Sequence, residues 1–86
     1  MRIISFHIRA FNDYLDWNNN DKSTFKKINI LIKDILRNPF AGIGKPEQLK
    51  YQNEKYWSRR ITEEHRIVYQ VLEEMIIIIS CKGHYK

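Results

Sequence analysis

The hydrophobic period of this chain changes once, across residues 38–46 (NPFAGIGKP), and that change constrains the fold more than any other feature. Before it, Phe25, Ile28, Ile32 and Ile35 recur at helical spacing, and Leu31 widens the stripe. Lys22, Lys26, Lys33 and Arg37 fall on the opposite face. Asp21 is a good N-cap for this helix, and Pro39 ends it by pushing Asn38 out of the α region. An earlier helix is expected with Ile8, Phe11 and Leu15 on one face, following a short strand at 2–6 (RIISF). The run Asn18-Asn19-Asn20-Asp21 should break that helix. After residue 46 the period is that of strands. They are expected at 47–50, 56–61, 66–72 and 75–81, with hairpin turns at 62–65 and Glu73-Glu74. Helices first and hairpin-linked strands after give an α+β domain spanning 1–86. Two N-terminal helices pack on one face of a mainly antiparallel, twisted sheet.

Composition narrows the function classes. Hydrophobic residues make up 43 % of 86, enough for one core and too many for a disordered chain. The longest apolar run, MIIII, is too short to span a bilayer, and the N-terminus lacks a long apolar segment. The lone Cys81 follows four isoleucines and reads as a packed thiol in a reducing, intracellular setting. Lys and Arg number 15 against 10 Asp and Glu, a formal charge of +5, with pI near 9.5. Such a balance favours an anionic partner.

Much of that charge sits in YWSRRITEEHRIVYQV, a stretch that otherwise reads as β-strand. Alternation puts Trp57, Arg59 and Ile61 on one face and Tyr56, Ser58 and Arg60 on the other. A turn centred on Glu63 makes Arg60 and Arg66 cross-strand neighbours. A turn centred on Glu74 sets Arg66 opposite Lys82, with His84 further along the same face. A one-residue slip would send His84 to the other face, so the register is decisive. In the favourable register, two arginines, a lysine and a histidine share the face away from the helices, flanked by Glu47 and Lys50. This set suits metal-independent RNA cleavage. A base removes the ribose 2′-OH proton, an acid protonates the departing 5′ oxygen, and guanidinium groups stabilise the phosphoryl charge. Glu47 is the candidate base, His84 the acid and Arg66 the stabiliser. Neighbouring cations disfavour the imidazolium form an acid needs, and a bound phosphate would restore it. Each residue also has a plain reading: Glu47 as a solvated carboxylate, Arg66 as a surface arginine paired with Glu64 or Glu73, His84 as a solvated imidazole. His7 and His65 show no partner pattern, and no Cys/His or carboxylate cluster has metal-ligand spacing.

The stretches KKINILIKDILRNPF, NPFAGIGKPEQLK, YWSRRITEEHRIVYQV and CKGHY, in this order and spacing, resemble the YoeB (Txe) toxins of the RelE superfamily. The resemblance covers nearly the whole chain. It implies a microbial-ribonuclease-like fold in a bacterial, cytoplasmic toxin of a type II toxin–antitoxin pair. The implied activity is ribosome-dependent mRNA cleavage in the 30S A site, without a cofactor and inhibited by an acidic YefM-like antitoxin. It implies catalytic roles for Glu47 (GKPE), Arg66 (EEHR) and His84. Tyr85 would help position or stack the substrate, and Lys50 and Arg60 would assist with phosphate. It also suggests a homodimer, with DNA contacted only through the antitoxin. The chain departs from the pattern in continuing to Lys86. Two other readings compete. One is a non-catalytic basic module that binds RNA or the ribosome and needs the cations but not Glu47 or His84. The other is a subunit that serves only protein association.

Overall fold

The computed structural model describes residues 1–50 and 55–83. The chain runs β1 (Ile3–Phe6), α1 (Ile8–Asn20), α2 (Lys22–Arg37), β2 (Glu47–Leu49), β3 (Tyr56–Arg60), β4 (Arg66–Val71) and β5 (Met75–Ser80). Each expected element is present, with ends displaced by at most one residue in the strands. The five strands form one sheet in the order β1-β5-β4-β3-β2. All neighbours are antiparallel except β1 and β5, which run parallel with Ile4 beside Ile76 and Phe6 beside Ile78. The two helices cover one face. Ile28, Leu31 and Ile35 of α2 meet Ile67, Tyr69, Val71, Ile76 and Ile78 of the sheet there.

Helix α1 corrects the expectation on two counts. It continues through Asn20, so of the run Asn18-Asn19-Asn20-Asp21 the asparagines extend the helix and only Asp21 breaks it. Its expected stripe faces solvent: Ile8, Phe11 and Leu15 are 65 %, 43 % and 41 % exposed. The inward side is Ala10, Tyr14 and Trp17. Ala10 lets the helix approach closely enough for Cys81 Sγ to lie 3.6 Å from its carbonyl. Tyr14 bridges the helices, donating to Asn29 Oδ1 at 2.6 Å while its ring leans on Phe6 and Phe25. The corner between the helices is a single residue. Asp21 donates its N–H to Trp17 O to close α1, and its carboxylate accepts from Thr24 N and Thr24 Oγ1 to open α2.

Arg59 is the largest fully buried side chain and lies on the helix face, away from the other sheet cations. Its guanidinium donates from Nε to Tyr69 Oη. Nη1 donates to Asp34 Oδ2 and Ile43 O, and Nη2 to Asn38 O and Ala41 O. A guanidinium has five N–H groups, and each has an acceptor here. Tyr69 Oη in turn donates to Pro39 O at 2.8 Å. Residues 38–46 therefore form a scaffold rather than a bland connector, with carbonyls converging on one buried cation. Gly42 is essential to that closure. Its φ is +141°, and a Cβ there would lie 2.0 Å from Asp34 Oδ2. Removing one member of such a buried pair costs about 3–5 kcal/mol, because the other charge is left uncompensated.

Arg37, Arg59 and the Ile43 amide all donate to Asp34 and hold its carboxyl down at about 2, below the ordinary 3.8. A carboxyl that is more acidic folded than unfolded stabilises the fold fully above its unfolded value. That contribution is lost as pH falls through the folded one. Urea-unfolding free energies should therefore decline as pH drops from about 4 to about 2. Asp34→Asn should lower stability at neutral pH and flatten the acid decline. An unchanged slope in that variant would assign the acid sensitivity to other carboxylates.

Candidate ribonuclease site

The face away from the helices is built from three pieces. The first is the β3–β4 hairpin. Its register sets Arg60 directly opposite Arg66, as a turn centred on Glu63 requires. Like charges facing each other across a strand pair are unfavourable by themselves, so the arrangement calls for an anion nearby. The second piece is β2, a three-residue edge strand whose Glu47 lies opposite Ser58 and so shares the arginines' face. Glu47 Oε1 lies 3.9 Å from Arg66 Nη1. Glu47 is largely solvated and Arg66 mostly covered, so this is a loose pair with the carboxylate free to engage something else. The approach to β2 is tight. Gly44 has φ +79°, its carbonyl accepts from Arg60 N at 2.7 Å, and Lys45 follows with φ 54°. Lys45, Pro46, Glu47, Arg60 and Arg66 line one open concavity of about 400 Å³. A larger one of about 530 Å³ lies at the β1 edge among Met1, Arg2, Ile3, Glu73 and Glu74, apart from these groups.

The third piece is the approach to His84. The turn at Glu73-Glu74 is a two-residue hairpin, Leu72 N donating to Met75 O, and pairs Tyr69 with Ile78. Continued unbroken, that alignment would set Val68 opposite Ile79. Instead a bulge at Val68/Tyr69 passes over Ile79 and pairs Val68 with Ser80. The bulge thus delivers the alignment expected of a turn centred on Glu74. Beyond it, Arg66 N donates to Gly83 O at 3.0 Å.

Glu47, Arg60 and Arg66 are brought together. Lys50 lies exposed, one residue past β2, and does not line the concavity. His84 and Tyr85 lie outside the described residues. Lys82, expected on the open face, turns to α1 instead: its Nζ is 3.5 Å from Asp16 Oδ2 and 5.7 Å from the Trp17 ring centroid. Two residues carry more than their sequence context indicated. Lys45 joins the concavity, and its place in GKPE was the available signal. His65, which showed no partner pattern, accepts a hydrogen bond from Gly83 N. Cys81 is a packed thiol, as expected, and burial pushes it up to about 12. Among the described residues no three His, Cys, Asp or Glu side chains are grouped to hold a metal ion, and no helix is long and apolar enough to cross a membrane.

Two helices thus lie on one face of a mixed sheet, with a carboxylate and paired arginines on the other. The family described as the YoeB-like toxin of bacterial type II toxin–antitoxin systems matches residues 6–85. A Synechocystis protein named Toxin YoeB is 52 % identical over 83 residues, covering 96 % of each chain. Among solved structures, a YoeB dimer from Staphylococcus aureus superposes with a TM-score of 0.90 at 52 % identity, over 98 % of each chain. A heterotetrameric YoeB–YefM toxin–antitoxin complex from the same organism gives 0.86 at 51 % identity, over 99 % of each. The chain belongs to the YoeB-like toxin family.

Because Glu47 is solvated and only loosely paired, Glu47→Gln should leave the unfolding free energy within about 0.5 kcal/mol of the parent in urea titrations. A loss of several kcal/mol would make Glu47 a structural residue.

Proposed function

We propose that this toxin is a ribosome-dependent mRNA endoribonuclease that cuts in the A site by 2′-OH attack, and that Glu47, Arg66 and His84 carry the chemistry. The observation that carries the reading is the facing Arg60–Arg66 pair with Glu47 beside it in one open concavity. Glu47 accepts the proton of a ribose 2′-OH. The oxygen attacks the adjacent phosphorus, and the P–O bond to the 5′ oxygen breaks. His84 gives that oxygen its proton, leaving a 2′,3′-cyclic phosphate and a 5′-hydroxyl. Arg66 stabilises the charge on the non-bridging oxygens. Arg60 and Lys45 hold neighbouring phosphates as charge contacts. Lys50 and Tyr85 extend the RNA contact. A shallow, open surface orients a flexible strand poorly by itself, which fits a substrate presented by another body, the ribosome.

The same reading supplies partners and place. An acidic YefM-like antitoxin covers the basic face. A homodimer is the assembly carried over from relatives, and the bacterial cytoplasm is where the ribosomal substrate is found.

The chemistry is tested by single-turnover cleavage on programmed ribosomes. Glu47→Ala and Arg66→Ala should each lose on the order of 100-fold or more. His84→Gln should be crippled on a natural phosphodiester and largely recover when sulfur replaces the 5′ leaving oxygen, since a thiolate departs without a proton. Glu47→Gln should not recover with sulfur. Wild-type cleavage by folded Glu47→Ala and Arg66→Ala proteins would overturn these assignments, and no cleavage by the parent protein would favour a non-catalytic RNA-binding module.

The antitoxin is tested separately. Its association rate with this toxin should fall steeply as ionic strength rises, because steering by a +5 protein is screened. A rate indifferent to salt would remove the basic face from the encounter.

A further inference from the structure

The regular ladder of β5 ends at Ser80, yet Cys81 and Gly83 beyond it are tied down group by group. Cys81 N donates to Asp13 Oδ2 at 3.0 Å, and Cys81 O accepts from Trp17 Nε1 at 2.7 Å. Gly83 O accepts from Arg66 N at 3.0 Å, and Gly83 N donates to His65 Nδ1 at 2.9 Å. Gly83 is at φ +92°, where a side chain would be strained although nothing lies within 4 Å of a Cβ built there. Its unusual backbone is held by bonds, not by packing. The backbone N–H can only donate, so Nδ1 is the accepting nitrogen of the His65 ring. His65 is itself fixed. Its N–H donates to Thr62 Oγ1 at 3.1 Å, and its ring meets Trp17 edge-on at 4.9 Å.

We propose that His65 is a positioning residue for the cleavage reaction: its Nδ1 lone pair clamps the Gly83 amide and so aims the chain that enters His84 and Tyr85. Consecutive residues of one hairpin then serve the same site in different ways. Arg66 meets the phosphoryl group, and His65 sets where the acid enters. The inference rests on His84 as the acid for its catalytic consequence, but the clamp itself can be read without it.

Two variants separate the lone pair from the ring. His65→Phe keeps a flat ring for Trp17 and has no acceptor. His65→Asn places an amide oxygen near the Nδ1 position and gives up the ring. Amide hydrogen exchange at Gly83, followed by NMR in the isolated protein, reads the clamp. His65→Phe should exchange at least about tenfold faster there, while His65→Asn stays close to the parent. Single-turnover cleavage on programmed ribosomes reads the consequence. His65→Phe should lower the maximal rate by roughly 10- to 100-fold with half-saturation unchanged, and His65→Asn should recover most of that loss. The His65→Phe deficit should shrink with the 5′-sulfur substrate, where a misplaced proton donor matters less. Unchanged Gly83 exchange in His65→Phe, or a loss in His65→Asn as large as in His65→Phe, would overturn the proposal. His84→Gln, run alongside on both substrates, judges the acid assignment alone. If sulfur fails to rescue it, His84 is not the acid, while Gly83 exchange and the Phe–Asn contrast still decide the clamp.

Discussion

One buried cation organises the approach to the site. Arg59 sits on the helix face of β3, and its N–H groups take the carbonyls of Asn38, Ala41 and Ile43, the Asp34 carboxylate and the Tyr69 hydroxyl. Burying a guanidinium is unfavourable unless its donors are met, and the chain meets them by folding residues 38–46 around it. That loop has no regular secondary structure to hold its shape. Without Arg59 its inward carbonyls would lack donors, and β2 would begin from an undefined point. The same strand that anchors the loop from below presents Arg60 on its upper side. The position of Glu47 relative to the arginines therefore follows from alternation along β3 together with one saturated hydrogen-bond hub.

The functional groups reach the outer face by separate routes. Arg60 and Arg66 come from the two arms of a hairpin, where register alone sets their spacing. Glu47 comes from an edge strand whose placement is inherited from the Arg59 loop. The segment leading to His84 leaves the sheet past a bulge and is held by α1 and His65. The buried network is saturated with hydrogen bonds, whereas Glu47 on the outer face is solvated. Substitutions at Glu47 should therefore have little effect on the fold, and substitutions around Arg59 a large one.

The secondary structure was legible because the periods are clean: α2 carries one apolar stripe, and β3 alternates without interruption. Asp21 and Pro39 act locally, so their capping and stopping roles could be read directly. The inward side of α1 was not legible. Ile8, Phe11 and Leu15 make the more hydrophobic stripe, but contact with the sheet requires the small Ala10 and the hydrogen-bonding Tyr14 and Trp17. Hydrophobicity alone cannot weigh closeness of approach. The pairing of Val68 with Ser80 matches a turn centred on Glu74 for a different reason, since a bulge has no signature in the alternation of MIIIIS. Glu47 and Arg66 were singled out through chemistry and resemblance, and the structure brings the two onto one face. The role of His65 depends on a partner eighteen residues away and on one ring nitrogen, neither of which spacing reveals.

The parallel pairing of β1 with β5 has a consequence for how the molecule comes into being. Ile3 aligns with Met75, so β1 finds its neighbour only once the chain as far as β5 exists. In the order β1-β5-β4-β3-β2, β5 is the sole link between β1 and the hairpin strands. Until residues 75–80 are available, β1 has no sheet neighbour to pair with. Closing so long a loop is entropically demanding and places assembly toward the slow end for a domain of this size. The sheet therefore cannot close until β5 has been made, however early the helices and β1 are available.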